Sequence, residues 1–170
     1  MSIITCRVTK DKIYLAADSQ LTCGSDRRPG LLYKKIIKIK DIVLCAVGTC
    51  AEVNLLVEYI KENKLPRSPQ KLTLYMANFY KWRDEVTPTL IPEEKDRTSH
   101  CQFMFIVRGK VLYAASLFAT EVLEFHAIGS GEDLAMGAME CGVSVKKAVE
   151  VACKYNTDCG LPVQYMEIRR

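Results

Sequence analysis

The chain predicts an α+β fold, in which antiparallel hairpins are covered by pairs of helices, on three observations. Strand-like runs come two at a time across short polar turns. The apolar spacing switches twice from period 2 to helical period. No regular strand-helix-strand alternation of the kind that builds a parallel sheet is present. At 170 residues the chain makes one domain, 1–170, rather than two. Its 49% hydrophobic and 26% charged residues are ordinary globular values, which exclude disordered, fibrous and membrane classes.

Residues 2 to 9 and 12 to 18 read as two strands joined by Lys10-Asp11, a polar pair suited to a tight hairpin. Residues 19 to 32, with Gly24, Ser25, Asp26, Pro29 and Gly30, carry turn chemistry and read as a loop. Lys34 to Lys40 alternates Lys and Ile, and Lys40-Asp41 turns it into Ile42 to Val47, a second hairpin ended by Gly48-Thr49. From Thr49 the period becomes helical through Ala51, Leu55, Leu56, Tyr59 and Ile60, with Thr49 as N-cap and Glu52 placed for a capping box. Pro66 and Pro69 break that helix. Leu72, Tyr75, Met76, Phe79, Tyr80 and Trp82 give a second one to about Glu85, with Trp82 as a core residue.

Residues 86 to 100, rich in Pro, Glu, Lys and Ser, read as an exposed connection. Gln102 to Val107, the Arg108-Gly109 turn and Val111 to Ser116 form a third hairpin, followed by a strand from Glu121 to His126 that ends at Gly129-Ser130-Gly131. Helices follow at about 132 to 141 and 144 to 155, with Gly142 at a C-cap position and Ser144 as an N-cap. A last strand runs from Val163 to Ile168.

The net charge of +4 is scattered along the chain, without the clustered stripe and stacking aromatics that nucleic-acid binding wants, so no nucleic-acid partner is expected. No apolar run approaches the roughly 18 residues needed to cross a membrane. Eight cysteines occur with no charged, apolar leader ahead of them, and several fall inside apolar runs. Reduced, buried thiols in a cytoplasmic protein are the expectation. No pair has C-x-x-C spacing and neither histidine lies near a cysteine cluster, which argues against zinc. A cysteine-based metal or redox binding protein is the remote alternative.

Removal of Met1, which a small second residue permits, makes Ser2 the N-terminus. A free α-amino group titrates at about 7.7 to 8.0, so it serves as general base for its own hydroxyl without a histidine. Taken alone, Ser2 is equally a frayed terminus. Asp18 follows Ile13-Tyr14-Leu15-Ala16-Ala17, where burying a carboxylate requires a partner. Lys35 supplies one; alternatively Asp18 caps the next turn and Lys35 faces solvent.

These residues carry a resemblance. Met1-Ser2 through Asp18, Lys35-Ile36, Lys38 to Asp41, Ala46 to Glu52, Ala127 to Gly131 and Val149 to Gly160 together look like proteasome β-type subunits and the HslV peptidase, in order and over nearly the whole chain. The resemblance implies a four-layer αββα sandwich of the N-terminal nucleophile hydrolase type. It places Ser2 on the nucleophile, Asp18 on the supporting acid, Lys35 on the lysine that favours the alkoxide, the Gly48 N–H on the oxyanion hole and Ser130 beside the nucleophile's amine. It also implies a peptide or unfolded-protein substrate, homo-oligomeric stacked rings and an ATP-dependent unfoldase partner. An inactive structural subunit of such a ring is the alternative.

The family usually has Thr where this chain has Ser2, so the χ1 restraint of a β-methyl is missing. Where proteasome subunits carry an acid and a serine, this chain has Asn156 and Cys159. No cofactor is required. In HslV, carbonyls of that loop hold a monovalent cation such as Na+, which maps to Cys153, Asn156 and Cys159. Ala46, with Cys50 and Ile37, falls on the pocket for the residue preceding the cut, giving the expectation of a roomy apolar pocket and cleavage after large hydrophobic residues.

Overall fold

The computed structural model describes residues 2–23, 26–28, 31, 33–87 and 99–170. Strands β1 (Ile4–Val8) and β2 (Lys12–Ala17) form the first hairpin, with Ile4 opposite Ala17. The stretch expected as loop holds a two-stranded ribbon, β3 (Thr22–Cys23) against β4 (Asp26–Arg27). Gly24, Ser25, Pro29 and Gly30, whose turn chemistry suggested the loop, lie outside the described residues. Strands β5 (Ile36–Ile39) and β6 (Ile42–Val47) form the second hairpin, turning at Lys40, whose φ is +54°.

Helix α1 (Cys50–Glu62) and helix α2 (Pro69–Val86) follow. Thr49 stands at the N-cap but makes no capping bond, so the expected capping box does not form. The Glu52 carboxylate accepts from Arg83 at 2.7 Å and from the Ser99 hydroxyl instead. A charge-assisted bond to a guanidinium is stronger than one to a backbone N–H, and it wins here. Of the exposed connection, residues 88–98 lie outside the described residues.

Strands β7 (Gln102–Val107) and β8 (Lys110–Ala115) make the third hairpin. The strand expected from Glu121 to His126 is two strands in two different sheets. β9 (Phe118–Val122) pairs with β8, and β10 (Phe125–Ile128) pairs with β1. The chain crosses between sheets at Leu123-Glu124, where Leu123 is 76% exposed. No Gly or Pro marks the crossing. Helices α3 (Glu132–Glu140) and α4 (Val145–Tyr155) are separated at Gly142, whose φ is +84°, and the Ser144 hydroxyl caps α4 by accepting from Lys147 N. Strand β11 (Gln164–Arg169) closes the fold.

Two antiparallel sheets result, ordered β10-β1-β2-β11 and β5-β6-β7-β8-β9. The core has three parts. Ile4, Leu15, Val43, Met104 and Val111 fill the space between the sheets. Leu44, Leu56, Met76, Phe79 and Phe105 fill the space between the five-stranded sheet and α1/α2. Ile3, Ala16, Ala127, Ala148 and Val149 fill the space between the four-stranded sheet and α3/α4. The architecture is therefore a four-layer αββα sandwich. No described helix is long and apolar enough to cross a membrane.

Candidate active site

The β1/β2 register, continued one step past Ile4 and Ala17, sets Asp18 beside Ile3. Asp18 N donates to Ile3 O at 3.1 Å, and Ile3 N donates to Asp18 Oδ1 at 2.9 Å. The spacing between Ser2 and Asp18 thus reflects hairpin pairing. Asp18 is fully buried, and its carboxylate accepts four bonds. Besides Ile3 N, Lys35 Nζ reaches Oδ1 at 2.6 Å, while Gln20 N and Gly160 N reach Oδ2 at 3.0 and 3.1 Å. A buried carboxylate is tolerable only when its lone pairs are satisfied this fully. Of the two arrangements open from the sequence, the structure has both the ion pair and the Asp18 turn to Gln20. Lys35 does not face solvent.

At the other end of the site, Ser2 N donates to Ser130 Oγ at 3.1 Å, and Ser130 Oγ donates back to Ser2 O at 3.2 Å. Ser130 is held from behind by Asn156, whose Nδ2 donates to Ser130 O at 2.6 Å. Gly129 carries φ +103°, and a side chain there would run into the Ser2 carbonyl. Its N–H donates to Gln102 Oε1 at 2.7 Å. Gly48 carries φ +123°, and a Cβ would strike the Cys101 sulfur and lie 2.8 Å from Cys101 Cα. Thr49 N donates to Cys101 Sγ at 3.3 Å, so the backbone after β6 rests on that thiol. Only glycine fits either position.

Ser2, Lys35, Ala46, Gly48 and Cys50 line one cavity, together with Gln20, Thr22, Tyr33 and Val53. Ile37 does not join them. It pairs with Leu44 and packs against the core under α1/α2, because β5 turns that face towards the helices. The cavity is small, about 30 Å³, and mixes polar with apolar groups.

Three of the thiols around the site, Cys101, Cys153 and Cys159, stay protonated at neutral pH. Burial raises Cys159 to about 11 and Cys153 to about 12, and it raises Cys101 as well. Cys141 is exposed, against the expectation of buried thiols. Among the described residues no group of three His, Cys, Asp or Glu is placed to hold a metal. Cys153 lies in the last turns of α4, and Asn156 and Cys159 lie in the loop after it. Asn156 O accepts the Cys159 N–H at 3.3 Å.

Sequence reasoning did not find Gln102, Cys101 or Gln164. Gln164 at the start of β11 donates to Asp18 O and Ser19 Oγ at 3.2 Å and to Tyr33 O at 3.0 Å, and its Oε1 accepts Lys35 N at 3.0 Å. A glutamine in an alternating strand carries no signal for such contacts.

No protein-family model matches the sequence, and no curated protein shows significant similarity to it. Solved structures do match its fold. BPH of Thiobacillus denitrificans superposes with a TM-score of 0.79 at 19% identity, covering 98% of this chain and 97% of that one. The same protein in complex with epoxomicin gives 0.76, also at 19% identity, with 98% of each chain covered. HslV of Trypanosoma brucei gives 0.68 at 18% identity, covering 99% of each chain. Anbu, an ancestral β-subunit from Yersinia bercovieri, gives 0.70 at 11% identity, covering 99% of this chain and 81% of that one. The fold is thus the HslV-like, proteasome-like sandwich.

Proposed function

We propose that the chain is an endopeptidase subunit whose nucleophile is Ser2 after Met1 is removed. The observation that carries this reading is the convergence of the Ser2 nitrogen on Ser130 and of the Lys35–Asp18 pair on the cavity that Ser2 shares with Gly48. In the sequence as it stands that nitrogen belongs to the Met1–Ser2 peptide bond, and only its release gives an amine able to accept a proton.

The freed amine takes the proton from the Ser2 hydroxyl as Oγ attacks the substrate carbonyl. The buried Lys35 ammonium, held by Asp18, favours the developing alkoxide, and the Gly48 N–H stabilises the oxyanion. The proton then passes to the leaving amine. Water hydrolyses the resulting Ser2 ester and restores the free hydroxyl. The cavity as it stands suits a small side chain before the cut. No cofactor takes part in these steps. A monovalent cation such as Na+ on the carbonyls of Cys153, Asn156 and Cys159 would sit at the negative end of α4 and steady the loop that holds Ser130.

A stacked homo-oligomeric ring fed by an ATP-dependent unfoldase belongs to the same proposal, supported by the HslV-like and Anbu-like fold. Retention of Met1 gives the second reading, a structural subunit with no base at Ser2. Intact mass and fluorogenic peptide assays decide between them. The expected result is a chain lacking one methionine, with hydrolysis that Ser2→Ala lowers by about 10⁴-fold or more, as loss of a nucleophile does. Retained Met1 with no hydrolysis sinks the enzyme reading.

A further inference from the structure

The Lys35–Asp18 pair joins two different sheets, since Asp18 follows β2 of the four-stranded sheet and Lys35 precedes β5 of the five-stranded one. Its geometry therefore depends on how the sheets are held together at this end. The Lys35 backbone is held within its own sheet, where Ala46 N donates to Lys35 O at 3.2 Å, but that bond does not set it against Asp18, and a shift between the sheets would pull the ammonium off the carboxylate.

Gln164 prevents that shift. Its position opposite Ala17 on the edge strand β11 puts its side-chain amide between the two backbones. Lys35 N–H needs an acceptor, and the carbonyls of Asp18 and Tyr33 need donors. An amide has one carbonyl oxygen and two N–H groups, so only one orientation of Gln164 satisfies all three. That orientation ties Lys35 and Tyr33 on one side to Asp18 and Ser19 on the other.

We infer that Gln164 is a positioning residue for the peptidase chemistry: it fixes the backbone of Lys35 against that of Asp18, and so sets where the Lys35 ammonium stands relative to Ser2. This rests on the functional reading above. Gln164 does not line the substrate cavity, so it acts on the chemical step and leaves peptide binding alone. A misplacement of about 1 Å in such a group costs on the order of a hundredfold in rate.

The test uses the mature full chain. Gln164→Leu keeps the bulk and removes every bond. The expected result is a kcat lowered by at least about tenfold with KM within about twofold, consistent with loss of an interaction made in the transition state. In the crystal structure of the variant, the Lys35 ammonium stands off from Asp18, where it is now 2.6 Å away. Gln164→Glu serves as the second variant, for use where Leu does not fold. Protonated, its carboxyl keeps one donor and one acceptor; ionised, it turns only acceptors towards the carbonyls of Asp18 and Tyr33, with Asp18 and Lys35 the charged groups beside it. Its kcat relative to wild type is therefore expected to fall as pH rises. A wild-type kcat in Gln164→Leu, or an unmoved Lys35–Asp18 contact in its crystal structure, overturns the proposal, as does a pH-independent ratio in Gln164→Glu. Absence of hydrolysis from the wild type overturns the functional reading instead, and the crystal structure of the variant still decides the role of Gln164.

Discussion

Helices α1 and α2 cover their sheet with rings, whereas α3 and α4 cover theirs with methyl groups. On the first side Tyr59, Tyr75, Phe79 and Trp82 pack together at centroid distances of 5.2 to 6.3 Å, above Phe103 and Phe105. On the second, Ala135, Ala148 and Ala152 meet Ala16 and Ala127. Rings bury much apolar area and hold the layers apart. Methyl groups bury less and let backbones approach closely. The close approach is used at Gly131, where a Cβ would lie 3.0 Å from both Ala152 Cβ and Cys159 Sγ and 3.2 Å from Ile3 Cβ. Its neighbour Ser130 is thereby delivered to Ser2. The α3/α4 layer positions Ser130 against Ser2, while α1 reaches the cavity with Cys50 and Val53 at its first turn.

The largest effect expected from breaking this contrast is Phe79→Ala. Phe79 is fully buried and touches the rings of Tyr59, Tyr80 and Trp82. Truncation removes about 3 to 5 kcal/mol of stability, through lost transfer and a cavity that fills only in part. Denaturant melts measure it. Peptide hydrolysis per folded molecule is expected to stay at the wild-type level. If it collapses along with stability, the division of labour between the layers is wrong.

Ala152→Leu sharpens the same contrast from the other side. Extra methylenes in a filled space cost about 1 to 3 kcal/mol, a smaller loss than that of the ring. Here activity is expected to fall further than stability, because the added bulk pushes on Gly131 and moves Ser130 off Ser2. Comparing the melt with kcat for this one variant checks it. A variant destabilised but fully active would show that α3 and α4 serve packing alone.

Legibility in the sequence followed the same physical divide. The hairpins and the helices were readable because strand and helix periods repeat over many residues, and the approach of Asp18 to the start of the chain, where it pairs with Ile3, followed from a hairpin with a short turn. The crossing at Leu123-Glu124 was hidden because no Gly, Pro, Asn or Asp stands there to mark a turn. Ile37 was misplaced because the sheet face it takes depends on where β5 begins, one residue after Lys35. Contacts such as Gln164 to Lys35, 129 residues apart, leave no periodic trace. Nor could Glu52 be assigned to Arg83 while a capping box explained it equally well locally.

Between the two helix layers, the packing of sheet on sheet belongs to neither pattern, and it supplies the smallest expected effect. This space is mostly aliphatic, yet His126 on β10, opposite Cys6, packs its ring 4.8 Å from that of Tyr113 on the other sheet. Burial holds its pKa below the ordinary value of 6.5, and the nearby Glu132 carboxylate offsets part of that. The folded state therefore prefers neutral His126, and near its ordinary pKa the unfolded chain binds more protons. The stability this contributes is fully present above about pH 6.5 and is lost as pH falls through the lower folded value. Thermal midpoints followed from pH 7.5 down to pH 5 are expected to drop by a few degrees in the wild type. The drop should be shallower in His126→Phe, which keeps the ring and removes the titration. His100, the other histidine, is exposed and unchanged in that variant, so the difference between the two curves belongs to His126. Superimposable curves would mean that the ring titrates freely, and that the space between the sheets is open to water at this end.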